Sequence, residues 1–456
     1  MKHLSVVLLI TLLAVTFVSA QDREELVEDV LIRISELLSA GQSDEAIALF
    51  GEIPDLERNR SDLRLLEASV LSSINRFDEA RAIAEAVRRA EPNNADALYV
   101  LAIIEGAAGR RRYQQLALER LIALEPQNSG ALITLGNISL QNRVVRPAAY
   151  FFHRVLTFDP QNLDALIGLS RAFRMNTEWN SAEILLDHAV ELYPDNVLPR
   201  TERARFLWGR RYLLRALQDL DVAAALEPET YWIALDRANL LFEMNRRAEA
   251  LDEFNRVISL NPNVYVAYVF AAGLMDELGD HDGAMRHYEV LARLNPDYYF
   301  GLEGLGFHKM RTEQWEEARD AFLEAHRRAP HEHLYALLAA INWMRMGDIT
   351  APRAFLGQVQ NQVPRNTLEW HMFRLFHDLT DRNFTGERDM TIRLDREEDE
   401  ILRARMLFFM AQYYDVRGMT NLANRFYQMV VDSGIRAIPE WRIVNWIVTD
   451  RNLGPN

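Results

Sequence analysis

Residues 129–162 read SGALITLGNISLQNRVVRPAAYFFHRVLTFDPQN, and residues 163–196 read LDALIGLSRAFRMNTEWNSAEILLDHAVELYPDN. Both segments have 34 residues, and Pro160 and Pro194 fall at the same place near their ends. The same spacing relates nine prolines of the chain: Pro92, Pro126, Pro160, Pro194, Pro228, Pro262, Pro296, Pro330 and Pro364. A fixed period of this length indicates one small structural unit, repeated and stacked along the chain.

Small side chains recur with the same period, twelve residues before the proline position. This series consists of Ala46, Ala80, Ala148, Ala182, Ala216, Ala250, Ala284 and Ala318. Only Gln114 and Pro352 interrupt it. A second series lies in the first half of each unit: Ala68, Ala102, Gly136, Ser170, Ala204, Ala238, Ala272, Gly306 and Ala340. Small residues at two fixed points predict two helices that cross closely, because larger side chains there would hold them apart.

Turn and cap residues complete the predicted helix pair. The glycines Gly41, Gly109, Gly279 and Gly347 fall between the two helices, where a positive φ suits glycine best. Each proline follows the second helix, since proline cannot continue its hydrogen-bond ladder. Asn93, Asp195 and Asp297 are the expected caps of the next helix.

The period and the residue pattern resemble the tetratricopeptide-repeat (TPR) family over nearly the whole chain. This resemblance implies an all-α fold, a right-handed superhelical solenoid of antiparallel helix pairs. About 11–12 repeats and a C-terminal capping helix are expected.

The repeat register predicts the domain organisation. Ten in-register repeats are expected over residues 21–366, and residues 367–403 are read as a divergent repeat or an insertion. Residues 404–456 are expected to form a last hairpin and an amphipathic helix that covers the exposed final face. Within this segment, residues 408–427 and 440–442 are similar to the closing repeat of envelope TPR lipoproteins that act as adaptors for peptidoglycan hydrolases and proteases.

The N-terminus predicts export. Residues 1–20 have a short basic start, an apolar stretch and a small-residue cleavage site that ends at Ala20, which is typical of a signal peptide. Cleavage would leave Gln21 first, and an uncleaved anchor is the alternative. No later segment is apolar enough to cross a bilayer, so a soluble periplasmic or extracytoplasmic protein is expected. The formal net charge of -15 disfavours nucleic acid as a partner.

No constellation for chemistry is found in the sequence. The chain has no cysteine, and it lacks nucleophile-elbow, Walker and dinucleotide-binding motifs. Neighbouring histidines are spaced by two or six residues, which places them on different helix faces, unlike zinc ligands. The acidic run over residues 395–400 lacks the pattern of a calcium loop. Neither a metal, a cofactor nor an enzymatic activity is therefore expected.

The surface with functional potential is the concave one, formed by the first helix of each repeat. Its predicted partner-binding residues are Asn137, Gln141, Arg171, Arg174, Arg205, Trp208, Trp232, Asn239, Phe242 and Phe307. Arginines can bind carboxylates bidentately, and aromatic residues can serve as apolar anchors, which favours a peptide with an acidic end. The alternative is that the arginines pair with neighbouring acids and the aromatic residues pack between repeats.

The favoured function is a scaffold or adaptor that binds proteins or peptides and serves envelope, secretion or polysaccharide-export assembly. One alternative is a glycan-binding or glycan-processing protein, which would need Asp276 and Glu303 to face each other across the groove. Another is a structural solenoid that forms homo-oligomers through its C-terminal cap.

Overall fold

The computed structural model describes residues 20–379, 385–436 and 438–453. The chain divides into two compact units, unit 1 up to Phe206 and unit 2 from Leu207. Over the described ranges every regular element is helical and no strand occurs, which confirms the predicted all-α fold. Of the predicted signal peptide, residues 1–20, only Ala20 is described, and the rest lies outside the described residues.

Unit 1 is built from helices that alternate between first and second members of a pair. They are α1 (Ala20–Ser39), α2 (Ser43–Leu49), α3 (Asp55–Arg58), α4 (Ser61–Ser73), α5 (Phe77–Ala90), α6 (Ala95–Ala107), α7 (Arg111–Leu124), α8 (Ser129–Gln141), α9 (Val145–Phe158), α10 (Leu163–Met175), α11 (Trp179–Leu192) and α12 (Val197–Gly209). From α4 to α12 the first helices have 13 residues and the second helices have 14. The boundary between the units falls within α12.

Unit 2 continues the same alternation. Its helices are α13 (Leu213–Leu226), α14 (Tyr231–Glu243), α15 (Arg247–Leu260), α16 (Tyr265–Leu278), α17 (His281–Leu294), α18 (Phe300–Arg311), α19 (Trp315–Arg328), α20 (Leu334–Arg345), α21 (Thr350–Gln360), α22 (Leu368–His377), α23 (Thr385–Arg396), α24 (Glu400–Val416), α25 (Thr420–Asp432) and α26 (Trp441–Asp450). Consecutive helices pack against one another as pairs, for example α14 with α15 and α24 with α25.

The turn inside each helix pair from α1–α2 to α20–α21 contains a residue with a left-handed backbone. The predicted glycines are confirmed there: φ is 76° at Gly41, 71° at Gly109, 89° at Gly279 and 85° at Gly347. In the other repeats the same position holds a side chain with positive φ: Asn75, Arg143, Thr177, Arg211, Asn245 and Glu313. The turn geometry therefore belongs to the repeat, and glycine is only one way of meeting it.

Close approach explains the small residues. Phe152 is fully buried between Gly136 and Gly168, and a Cβ atom added at Gly136 would lie 2.6 Å from Phe152 Cζ. The periodic alanines from Ala46 to Ala318 are 0% exposed. Where Gln114 interrupts their series, the facing residue is Gly106, whose missing side chain leaves room for the glutamine.

The first repeat departs from the pattern in its second helix. Helix α2 ends at Leu49, and a 3-10 turn over Phe50–Glu52 precedes Pro54 and the short helix α3. Proline has no N–H to continue the hydrogen-bond ladder, so the second helix is broken rather than continuous.

Two of the predicted helix caps, Asn93 and Asp297, are wrong. Asn94 rather than Asn93 caps α6, with its side-chain oxygen accepting from the N–H of Ala97 at 2.8 Å. Asn128 and Asn162 cap α8 and α10 in the same way. Asp297 does not cap α18, which begins after Tyr299, and instead pairs with Arg328 at 2.9 Å. In α6, α8 and α10 the cap is thus the residue directly before the helix, and its backbone is extended.

Residues 367–403, described except for 380–384, contain the helices α22 and α23, which contact each other. Glu387 on α23 accepts hydrogen bonds from the hydroxyls of Tyr413, at 3.0 Å, and Tyr414, at 3.2 Å, and it also pairs with Arg417. These contacts fasten α23 to α24, the first helix of the last hairpin.

Candidate functional site

First helices of neighbouring repeats contact each other in unit 1, as α4 contacts α6 and α8 contacts α10. Two consecutive first helices, α10 and α12, carry a cluster of arginines around one acid. The Arg171 guanidinium donates to the Glu202 carboxylate at 2.6 and 3.1 Å, and Arg205 lies 3.3 Å from the same carboxylate. We call Arg171, Arg174, Arg205 and Glu202 the arginine cluster.

The charge of the arginine cluster is not balanced internally. Glu202 is only 5% exposed, and burial by itself would raise the pKa of its carboxyl. The hydrogen bond from Arg171 and the charges of Arg171, Arg205 and Arg174 nevertheless lower that pKa below its ordinary value. Three guanidinium groups thus lie around one ionised carboxylate, so arginines outnumber acids within the cluster itself. Both Arg171 and Arg205 keep about two fifths of their side chains exposed, at 39% and 41%.

Other residues on the first helices of unit 1 are accessible to a partner. Asn137 is half-buried and Gln141 is exposed, both on α8. On α6, Tyr99 is 43% exposed and Ile103 is 46% exposed. The sequence analysis missed these two apolar side chains, although Ile103 holds the position in its repeat that Asn137 holds in the next.

In unit 2 the predicted site residues mostly have intramolecular partners. The Trp208 indole donates to Glu243, which also pairs with Arg211. Phe242 packs edge to face against Phe270, with ring centroids 5.1 Å apart. Trp232 and Asn239 are half-buried.

Phe307, the last of the predicted residues, is 3% exposed and packs against Phe322, so it belongs to the core of unit 2.

The C-terminal helix α26 lies on the first helix α18 as well as on α25. The sequence predicts a cap on the last face, yet the helix also reaches back to a repeat more than a hundred residues earlier. The link is Arg442, whose Nη1 lies 3.4 Å from Glu303 Oε1 and whose Nε lies 3.6 Å from Asp276 Oδ2. Its guanidinium also lies over the rings of Tyr288 and Phe300.

Each of these two acids has a further partner. The Tyr288 hydroxyl donates to Asp276 Oδ2 at 2.7 Å, and His281 Nδ1 lies 3.1 Å from Asp276 Oδ1. The Tyr335 hydroxyl donates to Glu303 Oε2 at 2.6 Å. Burial raises the pKa of Glu303, and the charge of Arg442 opposes that rise.

Asp276 and Glu303, the carboxylates that a glycan-processing function would need, are thus brought close together. The Arg442 side chain contacts both of them, so each carboxylate has a basic partner in the structure. One feature of the sequence could have indicated this contact: Arg442 is a single arginine between the apolar residues Trp441 and Ile443 of the amphipathic helix.

A cavity of about 670 Å³ remains beside the C-terminal helix in unit 2. It is lined by residues of α15, α16, α18 and α26 and of the segments next to them, among them Asn245, Arg247, Glu277, Arg436, Trp441 and Asn445. Within the described ranges, no three His, Cys, Asp or Glu side chains are grouped as metal ligands would be. None of the helices described is long and apolar enough to span a membrane.

Antiparallel helix pairs with a 34-residue period, stacked through their first helices, define the class of helical-repeat proteins that act as protein–protein interaction scaffolds. Comparison with protein families agrees: residues 37–104 of unit 1 and residues 235–299 of unit 2 each match a family model described as tetratricopeptide repeat. Both units therefore contain tetratricopeptide repeats.

Solved structures with similarity to the chain include a tetratricopeptide repeat protein from Parabacteroides merdae, 15% identical, which covers 54% of this chain and 98% of that one, with a TM-score of 0.44. PilF of Pseudomonas aeruginosa is 22% identical, over 46% of this chain and 96% of that one, with a TM-score of 0.39. YrrB, a TPR protein described as having an unusual peptide-binding site, is 18% identical, over 41% and 96%, with a TM-score of 0.36. A search of curated proteins gives no match.

Proposed function

We propose that this protein is an exported, non-catalytic adaptor whose unit 1 binds acidic peptide segments of partner proteins along its first helices. The observation that carries the proposal is the arginine cluster, in which three guanidinium groups surround one carboxylate and the Arg171 and Arg205 side chains stay 39% and 41% exposed. Guanidinium groups bind carboxylates through paired hydrogen bonds, and this geometry is stronger than that of a single contact.

Apolar residues ahead of the cluster support a ligand with two parts. A segment lying along the first helices of unit 1 would meet Tyr99 and Ile103 on α6 before it meets α10 and α12. An apolar side chain followed by acidic residues would match that order. Because the helices are already fixed by packing between repeats, the face loses little entropy when it binds an extended or helical segment.

The N-terminal sequence supports the proposed site of action. Its basic start, apolar stretch and small-residue end are those of a secretory signal, so the adaptor is proposed to act outside the cytoplasm in envelope, secretion or polysaccharide-export assembly. Mass spectrometry of the protein purified from its native host should find Gln21 as the first residue. Recovery of the uncut N-terminus in the cytoplasmic fraction would contradict this part of the proposal.

Charge reversal at Arg174 tests the peptide site. This residue acts on Glu202 through its charge and has no ion pair within the described ranges, so Arg174→Glu removes attraction without stranding a buried acid. The probe is a short fluorescent peptide with a leucine followed by four aspartates, and fluorescence anisotropy measures its affinity. We expect at least about tenfold weaker binding, or ~1.4 kcal/mol.

The matched control is Arg146→Glu, at an exposed arginine of the second helix α9. It makes the same change in net charge away from the first helices and should leave affinity within about twofold. Equal losses in both variants would indicate only a general charge effect. Unchanged binding in Arg174→Glu would refute the proposed site.

A further inference from the structure

The cavity beside the C-terminal helix has the features of a small-ligand site that is separate from the peptide face of unit 1. Its volume of about 670 Å³ lies within the range of small-molecule pockets, roughly 300–1,000 Å³. It lies beside the N-terminal half of α26, where α26 packs on α18, and Trp441 and Asn445 line it together with residues of α15 and α16.

Two of the three acids that line this cavity, Asp276 and Glu303, are engaged by other side chains of the protein. Asp276 is held by His281, Tyr288 and Arg442, and Glu303 is held by Tyr335 and Arg442. Their oxygens are therefore engaged, and the charge of Arg442 is used within the protein. A bound cation would have to compete with these contacts.

The basic side of the cavity is not saturated. Arg247 lies over the Phe242 ring, 4.4 Å from its centroid, and its closest carboxylate is Glu277 at 3.5 Å. Its Nη1 atom is buried and has no hydrogen-bond acceptor among the described residues. About a third of the Arg247 side chain, 33%, is nevertheless exposed, so a ligand in the cavity can contact this side chain.

A second guanidinium lies at the mouth of the same cavity. Arg436 stacks over Trp441, 5.6 Å from the ring centroid, and it has no carboxylate within 4.0 Å in the part of the chain that the structure describes. The side-chain amides of Asn245 and Asn445 also line the cavity. The unused hydrogen-bonding capacity is thus mainly that of planar donors.

We propose that this cavity binds a small molecule with one carboxylate, held by Arg247 and Arg436, and with hydroxyl or amide groups that reach Asn245 and Asn445. A single negative charge fits better than a phosphate dianion, because three acids line the cavity beside its three arginines. The carboxylate could come from an acidic sugar or from the C-terminus of a short peptide. This ligand is independent of the proposed adaptor function of unit 1.

Titration calorimetry on the full chain tests the site with two carboxylate probes, sodium glucuronate and acetyl-alanyl-alanine, each compared with its neutral amide. We expect one of the two carboxylates to bind with a stoichiometry of one and its amide to bind at least about tenfold more weakly. Which probe binds distinguishes the sugar from the peptide source. The proposal is overturned if neither carboxylate binds or if the amides bind equally well.

Variants locate the binding. Arg247→Gln and Arg436→Gln should each weaken the binding probe about tenfold or more, whereas Arg146→Gln in unit 1 should leave it unchanged. Asn445→Leu alters an exposed residue and provides a second test if Arg247→Gln loses its circular-dichroism signal. Because Arg174→Glu should spare this ligand and Arg247→Gln should spare the acidic peptide, the two proposals can fail separately. Unchanged affinity in both Arg247→Gln and Asn445→Leu would refute the assignment.

Discussion

Replacing Arg442 by methionine removes a charge that two acids share. The guanidinium lies 3.4 Å from Glu303 and 3.6 Å from Asp276, and only 20% of its side chain is exposed. Breaking a buried ion pair by removing one partner typically costs ~3–5 kcal/mol, because the other charge stays buried. Methionine keeps most of the apolar volume, so the loss should come chiefly from the stranded carboxylates. We expect unit 2 to lose about 3 kcal/mol at neutral pH.

The loss should depend on pH with a defined sign. Burial raises the pKa of Glu303, and Arg442 lowers it, so the variant should raise this pKa further. The pKa of a glutamate in the unfolded chain is about 4.3. At pH values between that pKa and the raised pKa of Glu303 in the folded variant, the folded state binds more protons than the unfolded state, so stability falls as pH increases. Arg442→Met should therefore cost less near pH 5 than near pH 8, since Glu303 can be neutral at the lower pH.

Urea unfolding followed by circular dichroism gives the overall effect, and hydrogen exchange of α16 and α18 gives the local one, because repeat arrays need not unfold in one step. Glu303→Gln in the Arg442→Met background should recover at least ~1 kcal/mol, since the stranded charge is gone. Arg146→Met, at an exposed site, is the control. A variant as stable as the wild type at every pH would refute the argument that Arg442 holds α26 on α18.

Two backbone predictions follow from the repeat geometry. Thr177 has φ of 62°, which suits a β-branched residue poorly, so Thr177→Gly should raise stability by about 0.5–1 kcal/mol. Gly109→Ala, at the corresponding turn of another repeat, should lower it. Urea midpoints measure both, and a loss of stability in Thr177→Gly would contradict the assignment. Gly168→Ala should cost ~1–3 kcal/mol because Phe152 fills the space, and the cost should shrink in a Phe152→Leu background; equal cost in both backgrounds would exclude this overlap.

The helix pairs were predictable because they are local and repeat. In most 34-residue units a proline and two small residues indicate contacts within one helix pair, and the predicted glycines mark a turn that the same pair requires. Thr177 shows where this signal fails: it takes the backbone of a glycine because packing of the two helices fixes the turn, and its side chain gives no indication of that.

The candidate site was predictable only in part. Placing Arg171, Arg174 and Arg205 on successive first helices needs only the repeat register, but their common partner Glu202 needs the spacing between neighbouring helices. The contact from Arg442 to Glu303 depends on how several repeats accumulate rotation, and no pairwise pattern encodes it.

Hydrogen-exchange mass spectrometry of the full chain, with and without the acidic peptide, tests the central claim most directly. If unit 1 binds acidic segments through the arginine cluster, exchange should slow in α10 and α12, and this protection should disappear in Arg174→Glu. Peptide binding without protection of α10 and α12, or with protection confined to the helices of unit 2, would contradict it.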